Sequence, residues 1–198
     1  MAEIFEVDRN LTQIFIGHLY PDHYLGLEVV KDAFPDACVL AYRDATDEIN
    51  DAYDFKIEYW GKQILRRNGA RRKVNGERID DPHLKVDGET IEIIGILRGD
   101  AAHEAALWIP STRTLIGADT VFSDAHVWVA DARTPQELKE WLDNLDRLEA
   151  LTHAFANPGH APNSWPYDPD LIEFTRRYLK DFIRELNATT DSAQLKEG

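Results

Sequence analysis

The chain has 198 residues, 43% of them hydrophobic, and a formal net charge of −14. That is the size and apolar content of one soluble domain, able to bury about 70% of its unfolded surface without staples. The 36 acidic residues against 22 basic ones argue against nucleic acid and anionic membranes as partners, because both recruit excess Lys and Arg. A single cysteine, Cys38, excludes an internal disulfide and a cysteine-based zinc cluster. It fits a reducing compartment. The segment from Met1 to Asp8 is acidic and lacks the apolar run of a signal peptide. No stretch approaches 18 consecutive apolar residues, so the expected location is cytoplasmic and the expected ligand a small molecule.

Gln13-Ile14-Phe15-Ile16 reads as a short buried strand. A polar loop, 17 to 22, leads to a helix over about 23–34 with Leu25, Val29 and Val30 on one side, stopped by Pro35. Cys38 to Tyr42 is a second strand. Together they form a strand–loop–helix–strand unit, the repeating element of layered α/β folds. Ile49, Ala52, Tyr53, Ile57, Trp60 and Ile64 recur at spacings of three and four, which predicts one long helix over 43–68. This helix and the segment after it, 43–82 together, read as an insertion or lid. Tyr53, Tyr59 and Trp60 suit either core packing or a cover over a site. The basic run Arg66, Arg67, Arg71, Arg72 and Lys73 suits an anionic ligand or a helix end complementing its dipole.

From 84 to 122 the pattern turns to β. Leu84–Val86, the turn Asp87-Gly88, Thr90–Leu97, Ala105–Ile109 and Thr114–Ile116 predict an antiparallel meander. An amphipathic helix over 134–151 comes next. Thr134 is its N-cap, Pro135 its first residue, and Leu138, Trp141, Leu142, Leu145, Leu148 and Leu151 its inner face. A short strand at 154–156, a final helix over 169–187 and a frayed tail over 188–198 complete a single domain spanning 1–198.

The chemistry concentrates in His18-Leu19-Tyr20-Pro21-Asp22-His23, between a strand and a helix. Zinc takes imidazole nitrogen and carboxylate oxygen, and a catalytic zinc keeps one position open. Taken alone, Asp22 also suits the N-cap of the following helix.

With the rest of the chain, this loop resembles the H-x-H-x-D-H motif of the metallo-β-lactamase superfamily, and Tyr24-Leu25-Gly26-Leu27 continues the likeness. Ile109-Pro110-Ser111 and Leu115-Ile116-Gly117-Ala118-Asp119 resemble the family strand that ends in a bridging Asp. The segments 126–131 and 145–151 match hydrolase-like members. Pro158-Gly159-His160 matches the motif that supplies the last zinc-binding His. The likeness runs in order over about 10 to 186. It implies an α/β fold, the αββα sandwich. Since 17 residues precede His18, the N-terminal strands are expected to be partly missing. Two remedies are then expected: a homodimer, or Ala2 to Val7 folding back as a substitute strand.

The resemblance also implies a two-metal site. Carried over residue by residue, His18 fits the first His, Tyr20 stands where the second belongs, and Arg98 is placed where a Gly-His-Thr-like turn would supply the third. A phenol is a poor zinc ligand at neutral pH and a guanidinium is none. The second site keeps Asp22, His23, His160 and the bridging Asp119. One zinc ion is therefore expected, not two. The first reading is a one-metal hydrolase that activates water, with Asp22 and Arg98 catalytic and Arg98 stabilising an oxyanion. The second is an inactive family member that binds a ligand or partner. The third is a structural subunit. Tyr20, His103 and His126 are the candidate substrate-binding residues. His103 also suits a surface turn and His126 a structural role.

Overall fold

A computed structural model describes residues 2–7, 9–61, 70–162 and 170–189. It divides into two units, Met1–Pro82 and His83–Gly198, each with its own sheet and apolar cluster.

The first unit runs α1 (Ala2–Glu6), β1 (Gln13–Ile16), α2 (Leu27–Ala33), β2 (Cys38–Tyr42), α3 (Asp44–Trp60) and β3 (Glu77–Ile79). The sheet order is β1-β2-β3 and both pairings are parallel, Ile14 opposite Val39 and Ala41 opposite Arg78. Parallel neighbours need crossover connections, and α2 and α3 supply them. The expected strand–loop–helix–strand unit is present, with a later helix start. Pro21–His23 forms a 3-10 turn, closed by the Leu25 amide on the Pro21 carbonyl at 2.8 Å, so α2 begins only at Leu27. Its inward residue is Leu27, while Val29 is exposed. Leu27 joins Ile16, Val39, Ala41, Ile49 and Tyr53 in the core of this unit.

Ala2–Glu6 is helical and Phe5 stacks on Phe34, which corrects the substitute-strand expectation for Ala2 to Val7. The helix expected over 43–68 is observed to Trp60, and residues 62–69, with Arg66 and Arg67, lie outside the described residues. Of the rest of the basic run, the Arg72 and Lys73 side chains are engaged within the unit, and Arg71 contributes its backbone amide. Arg72 pairs with Asp32 and Glu28, the Arg71 amide donates to Glu28, and Lys73 donates to the Asn50 carbonyl.

The second unit runs β4 (His83–Val86), β5 (Glu89–Leu97), β6 (Glu104–Ile109), β7 (Thr114–Ile116), α4 (Pro135–Glu149), β8 (Phe155–Asn157) and α5 (Leu171–Ala188). β4 to β7 form the expected antiparallel meander, and β8 adds in parallel to β7 after the α4 crossover. α4 starts as expected. The Thr134 hydroxyl accepts the Glu137 amide at 3.2 Å and the Glu137 carboxylate accepts the Thr134 amide at 2.9 Å, a capping box. Leu138, Trp141, Leu145 and Leu148 are buried, with Leu142 and Leu151 packed at the margin. Burial of each such side chain stabilises by about 1.5–3 kcal/mol before ordering entropy is subtracted. Leu171, Ile172 and Leu179 of α5 complete this core. Arg176 ties α5 to α4 through Asp146 and Glu149, both at 2.8 Å. The expected helix start at Pro169 and the tail from 190 lie outside the described residues. Among the described residues no helix is long and apolar enough to cross a membrane.

Candidate metal centre

In the first unit the loop after β1 leaves the carboxyl end of a parallel strand, where α/β sheets present their ligand-binding loops. His18 is fully buried. Its Nδ1 accepts from the Tyr20 amide at 3.4 Å. Its ring lies 4.0 Å from that of His23 and 5.1 Å from that of Tyr20. His23 Nε2 is 3.6 Å from Asp22 Oδ2, with the Asp22 side chain half exposed. Asp22 sits inside the 3-10 turn and does not cap α2, whose N-cap is Gly26. Behind it, Tyr24 is buried against Tyr53, ring centroids 4.9 Å apart. Burial, then Tyr53 and Asp22, pushes its phenol above the ordinary range, so it is a neutral wall.

In the second unit the 3-10 turn Ala118–Thr120 follows β7 and carries Asp119. Several bonds pin it. The Gly117 amide donates to Asn157 O at 2.8 Å, the Gly159 amide to Ala118 O at 2.8 Å, and the Ser123 amide to His160 O at 2.9 Å. Trp141 Nε1 donates to Thr120 O at 2.9 Å. Ala118 is held at φ 46°, a left-handed conformation that this framework sustains. Asp119 is fully buried, and its Oδ2 lies 3.2 Å from His160 Nε2. The His160 ring stacks on Phe122 and is 45% exposed on its side chain. A dry carboxylate beside a solvent-facing imidazole is a donor set suited to zinc.

Two further carboxylates surround Asp119: Asp100 and Glu104, 2% and 1% exposed. Glu104 accepts the Ala101 amide on Oε1 and the Thr120 hydroxyl on Oε2, each at 2.8 Å. Burial first, then the charges of Glu104 and Asp119, pushes the Asp100 carboxyl up to about 12, so it stays protonated at neutral pH. A register shift between Ile94 and Leu97 precedes the turn that carries Asp100. Such bulges re-aim side chains beside sites.

Arg98 does not join this cluster. Its guanidinium donates to Glu137 Oε1 at 3.2 Å and to the Asp131 carbonyl at 3.3 Å, at the start of α4. The turn residue that meets Asp119 is Asp100, directly after Gly99. Counting the Gly-His-Thr-like turn from Gly99 would have found it. Glu104 gave no such signal, because a glutamate opening a strand is ordinarily solvent-facing. His103 is half-buried in the turn before β6. His126 is exposed, its Nδ1 3.0 Å from the Tyr178 hydroxyl of α5.

The family model described as metallo-beta-lactamase superfamily matches residues 7–160. The chain belongs to the metallo-beta-lactamase superfamily. Solved structures agree on the fold. A metallo-beta-lactamase from Pontibacter korlensis is 18% identical with a TM-score of 0.64, over 91% of this chain and 76% of that one. The DIM-1 metallo-beta-lactamase exposed to ceftazidime is 16% identical with a TM-score of 0.63, over 91% and 72%. A metallo-beta-lactamase family protein from Thermus thermophilus is 18% identical with a TM-score of 0.66, over 94% and 66%. Comparison with curated proteins gives no match. Superfamily membership, with the Asp22–His23 and Asp119–His160 pairs present, supports a metal-dependent hydrolase in general terms and implies a bound metal ion.

Proposed function

We propose that this protein is a hydrolase of small carbonyl or phosphoryl substrates that uses one zinc ion, held by Asp22, His23 and His160 with Asp119 close by, so that one position stays open for water. The observation that carries the reading is the Asp119–His160 pair, 3.2 Å apart and fixed through backbone on both sides. The motif order of the superfamily supports the same ion being shared with Asp22 and His23. Zinc supplies a Lewis acid that polarises the substrate and acidifies water. Asp119 and His160 would orient the ion, and the carboxylate oxygen of the half-exposed Asp22 that is left uncoordinated would take up the proton that the attacking water releases. Tyr20 and the neutral Tyr24 line the loop. Arg98 serves α4 in place of the oxyanion role first expected of it. His18 packs its ring against the His23 ring, tilted 57° to it.

A second reading is an inactive superfamily member that binds a small ligand. It is favoured by Tyr20 in place of a His and by Asp100, which burial keeps protonated beside Asp119. A second copy of the chain is the proposed partner, since β4 and β8, the outer strands of the five-stranded sheet, carry exposed Val86 and Phe155. Sedimentation at micromolar concentration tests that pairing, and a concentration-independent monomer rejects it.

Elemental analysis of protein purified without added metal tests the main reading, alongside His160→Ala. One zinc per chain, lost in the variant, with ester or lactone hydrolysis that follows the zinc, is the expected result. Two metals per chain overturn it. One zinc without turnover across carbonyl and phosphoryl substrates moves the assignment to the ligand-binding reading.

A further inference from the structure

Glu104 opens β6 and is 1% exposed. A dry glutamate is rare, because burying the carboxylate without full hydrogen bonding is costly. Here its two oxygens divide between two segments. Oε1 accepts the Ala101 amide, inside the turn that carries Asp100. Oε2 accepts the Thr120 hydroxyl, one residue past Asp119. The chain crosses directly over this carboxylate at Gly99, where a β-carbon would fall 2.5 Å from Oε1. A β-carbon there would force the Glu104 carboxylate to move.

Thr120 is thus held at two points, its hydroxyl by Glu104 and its carbonyl by Trp141 Nε1 at 2.9 Å. On the other side of Asp119, the Ala118 carbonyl is held by the Gly159 amide. Both neighbours of Asp119 are fixed, so the main chain that carries it is set, and its fully buried carboxylate is packed against Gly159. An apolar side chain would fill the same space without linking the two turns.

We infer that Glu104 is a positioning residue that fixes the Asp119 carboxylate in its metal-binding orientation. The inference rests on the reading of Asp119 as a ligand. Side chains that orient a ligand from behind typically change metal affinity by about 10–100-fold when replaced.

Zinc affinity, read by chelator competition, tests it. Glu104→Met removes both tethers and should weaken zinc binding at least about tenfold. Glu104→Gln keeps an acceptor for the Ala101 amide and lets the Thr120 hydroxyl rotate to accept, so it should restore most of the affinity. Thr120→Val deletes one tether at constant shape and should give an intermediate loss, with the Glu104→Met/Thr120→Val double variant no weaker than Glu104→Met. A residue with a structural role alone would lower the melting temperature and leave the affinity of the folded protein unchanged. That result overturns the inference. If Glu104→Met does not fold, Thr120→Val carries the test, and parental affinity there overturns it equally. Asp119→Asn separates this inference from the site reading. Parental affinity in Asp119→Asn, or a parent that takes up no zinc, removes the site itself. Weakened affinity in Asp119→Asn with parental affinity in the Glu104 and Thr120 variants removes only the role of Glu104.

Discussion

Gly159 lies so close to the Asp119 carboxylate that a β-carbon at position 159 would overlap Oδ1 and crowd the Ala118 carbonyl. The glycine is needed for this approach and for the amide that reaches Ala118 O and Val121 O at 2.8 and 3.1 Å. Gly159→Ala should therefore displace Asp119 and cost about 1–3 kcal/mol, the usual range for overpacking. Thermal melts and zinc content measured together check this. A variant with parental zinc content would show that Asp119 tolerates displacement and is not a ligand.

The Glu137 carboxyl is held below the usual carboxylate range, first by the Thr134 hydroxyl, with the Thr134 and Arg133 amides and the Arg98 guanidinium adding to it. A depressed folded value stabilises fully above the unfolded pKa of about 4.3 and is lost as pH falls through the folded one. Glu137→Gln should melt earlier than the parent at pH 7. The gap should close as the pH is lowered below about 4. A gap that stays constant down to pH 2.5, on the order of two units below that value, would remove Glu137 ionisation as the cause.

Arg176→Met should loosen α5 from α4. It removes the cation that faces Asp146, Glu149 and Glu173, and leaves three carboxylates near one another. Those partners are more than half exposed, so water screens part of the effect. A loss on the order of 1–2 kcal/mol is expected, less at high salt. Urea unfolding at two ionic strengths checks both the size and the salt dependence.

Tyr178→Phe should leave zinc stoichiometry unchanged. His126 bonds to the Tyr178 hydroxyl and stacks edge-on with its ring, 6.2 Å between centroids. That places His126 in contact with α5. A change in metal content in this variant would bring His126 into the donor set instead.

Much of this structure is legible in local sequence chemistry. Thr134-Pro135 announces α4 because capping is a matter of adjacent residues, and the meander from Leu84 to Ile116 shows in its turns. β3 is not legible, since Glu77-Arg78-Ile79 has one apolar residue and becomes a strand only because β2 offers an edge. The start of α2 shifts because Pro21 closes a tight turn that competes with the helix. Among the candidate metal ligands, Asp22, His23, Asp119 and His160 stand out by motif. Asp100 and Glu104 do not, because burial of a carboxylate is decided by the tertiary surroundings and no local pattern marks it. Arg98 drew attention as a cation near the motif, while its actual partner, Glu137, is distant in sequence.

The amides of Gly117, Gly159 and Ser123 join the turn after β7 to the segment after β8, with α4 lying between them in sequence. These bonds continue the β7–β8 pairing past Asn157 and are flanked by the Trp141–Thr120 bond, so they are held on both sides. Solvent hydrogen should therefore replace these three amide protons only when the whole second unit opens, at one common rate and with the protection of its core strands. The Asp119–His160 pair is thus set by the fold of the second unit alone, before any ligand arrives.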